Sequence, residues 1–208
     1  MLRLQRSTTA LALAVSSLGA TAQTSNFSNY TGLASSVAAG SLPESAPFQL
    51  ANSAWTQLSI ADRATQLAAG QFNSGSWDMI DSNRTGADAG RYLFMGMETS
   101  QAGIQRYDRL AGTMTTLWNA AAPGAAVNFD AARWTPFGTY ITAEESWGAQ
   151  PQAYGRLFEL GNPVSATAGT GSVVHANAVA RVSHEGLAFD RYNNLYYIDE
   201  LNGGSIYR

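Results

Sequence analysis

Six carboxylates stand at the borders of hydrophobic runs. Glu98, Glu144, Glu145, Asp199 and Glu200 each follow an apolar, strand-like stretch, and Glu185 precedes one. Carboxylates brought to one place repel each other unless a cation neutralises them. The 208-residue chain has no cysteine, so the donors would all be oxygen, a set that selects hard ions such as Ca²⁺. Any one of these acids, taken alone, reads most simply as a solvated loop carboxylate. Their recurrence argues otherwise: aligned on Glu98, Glu145 and Glu200, they return after 47 and 55 residues.

Other chemistries find little support. His175 and His184 are the only histidines, and a triad using Ser183 lacks the strand-turn-helix elbow that exposes such a nucleophile. His184 reads as a residue orienting Glu185 or as a plain loop histidine. Walker, dinucleotide and zinc spacings are absent. The 12 basic residues are all arginine, without a basic run, and the net charge is only −3. Neither a nucleic-acid partner nor a membrane surface is expected.

The elements that must position the acids are short strands. Gly186 to Asp190, then the turn Arg191 to Asn194, then Leu195 to Ile198 form one hairpin, the second strand expected to pack on both faces. It ends on Asp199 and Glu200, turns at Asn202-Gly203-Gly204 and resumes as Ser205 to Arg208. Similar units run from Arg91 to Arg106, around Glu98, and from Phe137 to Leu160, around Glu144 and Glu145. Trp77 to Ile80 and Thr113 to Trp118 flank the first of them as further strands. Blade repeats in β-propellers are roughly 40 to 50 residues long. The expected fold is therefore all-β, a partial β-propeller of about three blades over residues 72–208, with an ordinary open β-meander as the alternative.

Three motifs carry a family resemblance: Trp134 to Glu145 (WTPFGTYITAEE), Ser183-His184-Glu185-Gly186, and Gly96-Met97-Glu98. From about Tyr92 to Arg208 the chain resembles the PhoX-type secreted alkaline phosphatases, calcium-dependent β-propeller phosphoesterases. The resemblance implies a phosphate-ester substrate and a cation cluster held by Glu98, Glu144, Glu145 and Glu185; the recurrence of acids at strand ends adds Asp199 and Glu200 as metal ligands close enough to contribute. Where the family has a cysteine that ligates iron, this chain has Ala143, which removes the thiolate on which an iron site depends. The family's chains are also much longer. The resemblance therefore covers the first half of such a propeller and implies a weak or inactive phosphatase. A non-catalytic secreted propeller that binds calcium or a partner is the alternative, and an incomplete product that cannot close its fold is a third. An open sheet edge in such a half-propeller could support self-association.

Ahead of the repeats, residues 1–22 read as a signal peptide. Arg3 and Arg6 precede an apolar run too short to span a bilayer, and Ala20-Thr21-Ala22 supplies the cleavage site. The mature product is expected to be secreted or periplasmic. Residues 23–71 read as a polar leader, with sequons at Asn26 and Asn29, followed by a short helix within Ala54 to Gly70. Its apolar positions would be Ile60, Ala64, Leu67 and Ala68.

Overall fold

The computed structural model describes residues 32–43, 45–51, 55–72, 75–148, 153–201 and 204–208. The expected signal segment and both sequons lie outside the described residues. The chain divides into two compact units, Met1–Leu58 and Ser59–Arg208. In the first, the Gln57 side chain exchanges hydrogen bonds with the backbone of Phe48. The second holds the helix and all the described strands.

That unit opens with one helix, α1 (Arg63–Ala68), capped by Asp62, whose carboxylate accepts from the backbone N–H of Thr65 at 2.8 Å. The helix is only six residues long, shorter than its apolar spacing predicts, and Leu67 and Ile60 are exposed while Gln66 is buried. Gly70 stops it with φ of 71°. The reason for the altered face lies just beyond the helix. The Gln71 side chain accepts from the Thr116 N–H at 2.7 Å, and the Phe72 carbonyl accepts from Gln105 at 2.9 Å and the Thr116 hydroxyl at 3.0 Å. Polar contacts hold this end of the helix to the first sheet.

Three antiparallel meanders follow. The first sheet is β1 (Trp77–Ser82), β2 (Tyr92–Met97), β3 (Gly103–Asp108) and β4 (Thr113–Asn119). The second is β5 (Phe129–Trp134), β6 (Tyr140–Glu144), β7 (Leu157–Leu160) and β8 (Val173–His175). The third is β9 (His184–Phe189), β10 (Leu195–Asp199) and β11 (Ile206–Tyr207). Each pairs in sequence order, and the first strands pack side by side, β1 on β5 and β5 on β9. The all-β expectation holds; the described sheets form no closed barrel.

The middle sheet is apolar on both faces because it lies between two cores. Phe129, Trp134, Tyr140, Phe158 and Leu160 join Phe94, Ile104 and Leu117 of the first sheet. Ala131, Ile141, Ala143 and Leu157 join Leu187 and Tyr197 of the third. Alternation along β6 sends Tyr140 to one core and Ile141 to the other, so all five of its residues are buried. Double burial was expected for Leu195 to Ile198, but there Tyr197 is buried while Ile198 is exposed. Among the described residues no further sheet covers the outer face of β10.

Gly155 fixes how the loop before β7 meets the segment before β9. Its φ is 75°, and an added Cβ would lie 2.5 Å from the Val182 carbonyl oxygen and 2.9 Å from the Val182 nitrogen. A left-handed backbone and a backbone neighbour that cannot yield both oppose a side chain. Gly155→Ala is expected to cost about 3 kcal/mol, measured by urea unfolding; unchanged stability would show that this contact relaxes freely.

Candidate metal centre

The acids are placed by a device used three times. In each sheet the first strand carries a β-bulge at its second and third residues: Asp78 and Met79 oppose Gly96, Asp130 and Ala131 oppose Ala143, and Glu185 and Gly186 oppose Ile198. The first residue of every bulge is an acid. Bulges break the strict alternation of side chains and re-aim the extra residue. Directly across, the second strand ends at Met97, Glu144 or Asp199, paired with Trp77, Phe129 or His184. The next residue is again an acid each time: Glu98, Glu145 and Glu200. Its N–H donates to the residue just before the first strand, Glu98 to the Ser76 carbonyl at 3.0 Å, Glu145 to that of Asn128 at 2.9 Å and Glu200 to that of Ser183 at 2.9 Å. Each sheet thus contributes two carboxylates, and because β1, β5 and β9 are neighbours, all six meet.

Their mutual influence shows in their protonation. Burial, then Glu185 and Asp78, push Asp130 up to about 9. Burial, then Asp78 and Glu145, push Glu98 up to about 7. Glu200 is also raised, by lost solvation and then by Glu185 and Glu145. The charged neighbours that raise these three are all carboxylates, and among the described residues no arginine pairs with them. At its centre, oxygens of Asp130, Glu145 and Glu185 lie within 4.8 Å of one another. Three oxygens bound to one Ca²⁺ at about 2.3–2.6 Å can stand up to roughly 4.5 Å apart in an even triangle, so a few tenths of an ångström of side-chain movement bring all three within reach of one ion.

Of the residues expected from the sequence, Glu98, Glu145, Glu185 and Glu200 belong to this ring. Glu144 and Asp199 do not. Glu144 is fully buried and takes a two-pronged bond from Arg156: Nε to Oε2 at 2.9 Å and Nη2 to Oε1 at 2.6 Å. The backbone N–H groups of Val127 and Arg156 fill its remaining lone pairs at 3.0 Å each. Asp199 Oδ1 accepts from the N–H groups of Ser183 and Leu201, each at 3.2 Å, and braces the third bulge. His184 is buried against Tyr197 and does not orient Glu185. Neither of its nitrogens makes a well-formed hydrogen bond, and burial pushes it down to about 4. It is a neutral packing residue. Ala143, at the position of the family's cysteine, is buried in the core between the second and third sheets.

Asp78 and Asp130 are the ligand candidates that the sequence reading missed. A signal existed: Asp78, Asp130 and Glu185 recur after 52 and 55 residues, each followed 15 to 20 residues later by Glu98, Glu145 or Glu200. Comparison with protein-family models, curated proteins and solved structures finds no match.

Proposed function

We propose that this protein is a calcium-dependent phosphoesterase of low turnover, secreted or periplasmic, whose cation centre is the six-carboxylate ring on a propeller-like arc of three sheets. The observation that carries the proposal is the threefold bulge-and-acid device, which concentrates six carboxylates with no balancing arginine among the described residues. Structural acids in this chain are treated differently: Glu144 has Arg156, and Asp108 has Arg91 at 2.7 Å. Asp130, Glu145 and Glu185 would hold the ion most closely, with Asp78, Glu98 and Glu200 completing an all-oxygen shell. The absence of a thiolate donor fits calcium and disfavours iron.

A bound calcium ion would supply Lewis acidity toward a phosphoryl oxygen and lower the pKa of a coordinated water. The chain's own part is to hold ligands rigidly: the bulges aim the first acid of each pair, and the cross-strand N–H bonds fix the second. Efficient phosphoryl transfer also needs cationic side chains on the transferring group. Among the described residues no arginine pairs with Asp130, Glu98 or Glu200, which supports slow turnover. A non-catalytic calcium module is the second reading, favoured by that same lack of a substrate clamp.

The test is hydrolysis of p-nitrophenyl phosphate by residues 23–208 with calcium or with chelator. Weak, calcium-dependent release that falls at least about tenfold in Asp130→Asn supports the esterase. Calcium binding without hydrolysis selects the module, and no calcium binding at all refutes both.

A further inference from the structure

The opposite ends of the same first strands meet at a second feature of reversed charge. From Asp130 to Trp134, β5 runs roughly 13 Å, and beyond the ends of β1, β5 and β9 lies a cavity of about 190 Å³. Arg84, Thr85, Arg133, Thr135, Phe189 and Asp190 are in its wall. Its electrostatics turn on Asp81, which is buried and serves two arginines. Arg84 Nη2 reaches Asp81 Oδ1 at 2.5 Å, while Arg133 Nε stands 3.8 Å from Oδ2, beyond hydrogen-bonding range. Asp81 is further occupied by the backbone N–H groups of Ser82 and Trp134, both at 2.8 Å.

One carboxylate therefore answers two guanidiniums. Each guanidinium has five N–H donors. Among the described residues Arg84 has only the Asp81 bond, and Arg133 has no protein acceptor within hydrogen-bond range. Both side chains stay partly open to the cavity, at 50% and 36% exposure. The one acid in the wall itself is already committed. Asp190 accepts from the N–H groups of Tyr192 and Asn194, from the Asn194 amide and from the Tyr196 hydroxyl, so its charge is spread over local donors. What the cavity lacks is an acceptor for two arginine forks, with the Phe189 ring beside them.

We infer that this cavity binds a small oxyanion, a phosphate or carboxylate group, between Arg84 and Arg133, at the end of the first strands away from the acidic ring. Charge-assisted, two-pronged bonding is what guanidinium pairs supply to such groups. The site does not depend on the cation proposal, and its test is run in chelator so that the two stand or fall separately.

The experiment is calorimetric titration of inorganic phosphate, and separately of benzoate, into residues 23–208 at constant ionic strength set with chloride. Saturable binding of either anion at about 1 mM or tighter, weakened about tenfold or more by Arg84→Gln with Arg133→Gln, is expected. Arg109→Gln, remote in sequence and bonded to the Gly90 carbonyl, should leave it unchanged. Phosphate alone, or benzoate alone, would identify the group preferred. If the double variant fails to fold, the Trp134 indole N–H resonance of the unaltered protein gives the answer, since that group bonds Thr85 Oγ1 in the cavity wall at 3.0 Å. No binding of either anion, binding untouched by the double substitution, or an unmoved indole resonance would overturn the inference.

Discussion

Calcium added to the chelated protein at pH 8 is expected to raise its melting temperature by about 5–10 °C when present at a hundredfold excess over its dissociation constant. Such an excess contributes about 2.7 kcal/mol to the folded state, and a domain of this size shifts by roughly 2–4 °C per kcal/mol. The sign of the pH dependence follows from the ring. Asp130 is raised to about 9 and Glu98 to about 7, both above the ordinary carboxylate range. Between pH 4 and 9 the folded, cation-free chain therefore holds protons that the unfolded chain has released. Stability without the ion is present at the acidic end and is lost as pH rises through 7 and 9. Calcium replaces those protons, so its stabilising effect grows in the same direction, and its binding releases protons into the buffer. Thermal scans from pH 5 to 9, with and without calcium, measure both. A cation-free melting temperature that is flat or rises across that window, with no calcium shift, would mean that the six acids do not share a site.

The sequence made the strands legible and four of the six ring acids with them. An acid that ends an apolar run, such as Glu98 or Glu200, announces the end of a strand, and its recurrence can be aligned by eye. Asp78 and Asp130 give no such sign, since each sits inside its strand at the second position. Ordinary alternation would send such a side chain to one face of the sheet; a bulge re-aims it, and bulges are set by pairing with another strand. Glu185 was found because an adjacent motif drew attention to it. The short helix shows the same limit. Its capping residue Asp62 and stop Gly70 are local and readable, whereas the burial of Gln66 depends on how Gln71 and Phe72 meet β3 and β4. The hairpin of β9 and β10 was readable because the turn between its strands, Arg191 to Asn194, is short and carries two asparagines. The contact of β1 with β5 and β5 with β9 was not, although it is what gathers the acids.

Glu144 and Glu145 are adjacent and read alike, yet substitutions at each are expected to have opposite consequences. Successive residues of a strand point to opposite faces, and at the end of β6 this separates a buried, fully bonded carboxylate from one in the ring. Arg156→Met leaves Glu144 buried with its charge answered only by two backbone N–H groups, a change that costs about 3–5 kcal/mol and lowers the melting temperature by about 10 °C. Glu144→Gln strands the Arg156 guanidinium instead and should destabilise as well, the double substitution costing less than the two singles added together because they share one bond. Calcium affinity, read on whatever fraction remains folded, should change little in either. Glu145→Gln and Asp130→Asn reverse the pattern. Glu145→Gln takes a carboxylate out of a repelling cluster, and Asp130→Asn replaces a carboxyl that already holds its proton below about pH 9 in the cation-free chain, so the cation-free protein should melt at the same temperature or higher, while calcium binding weakens by about tenfold or more. Melting curves and calcium titrations on these four variants separate the roles. Loss of calcium binding in Glu144→Gln with normal stability would place Glu144 among the ligands and reduce the Arg156 pair to a surface contact.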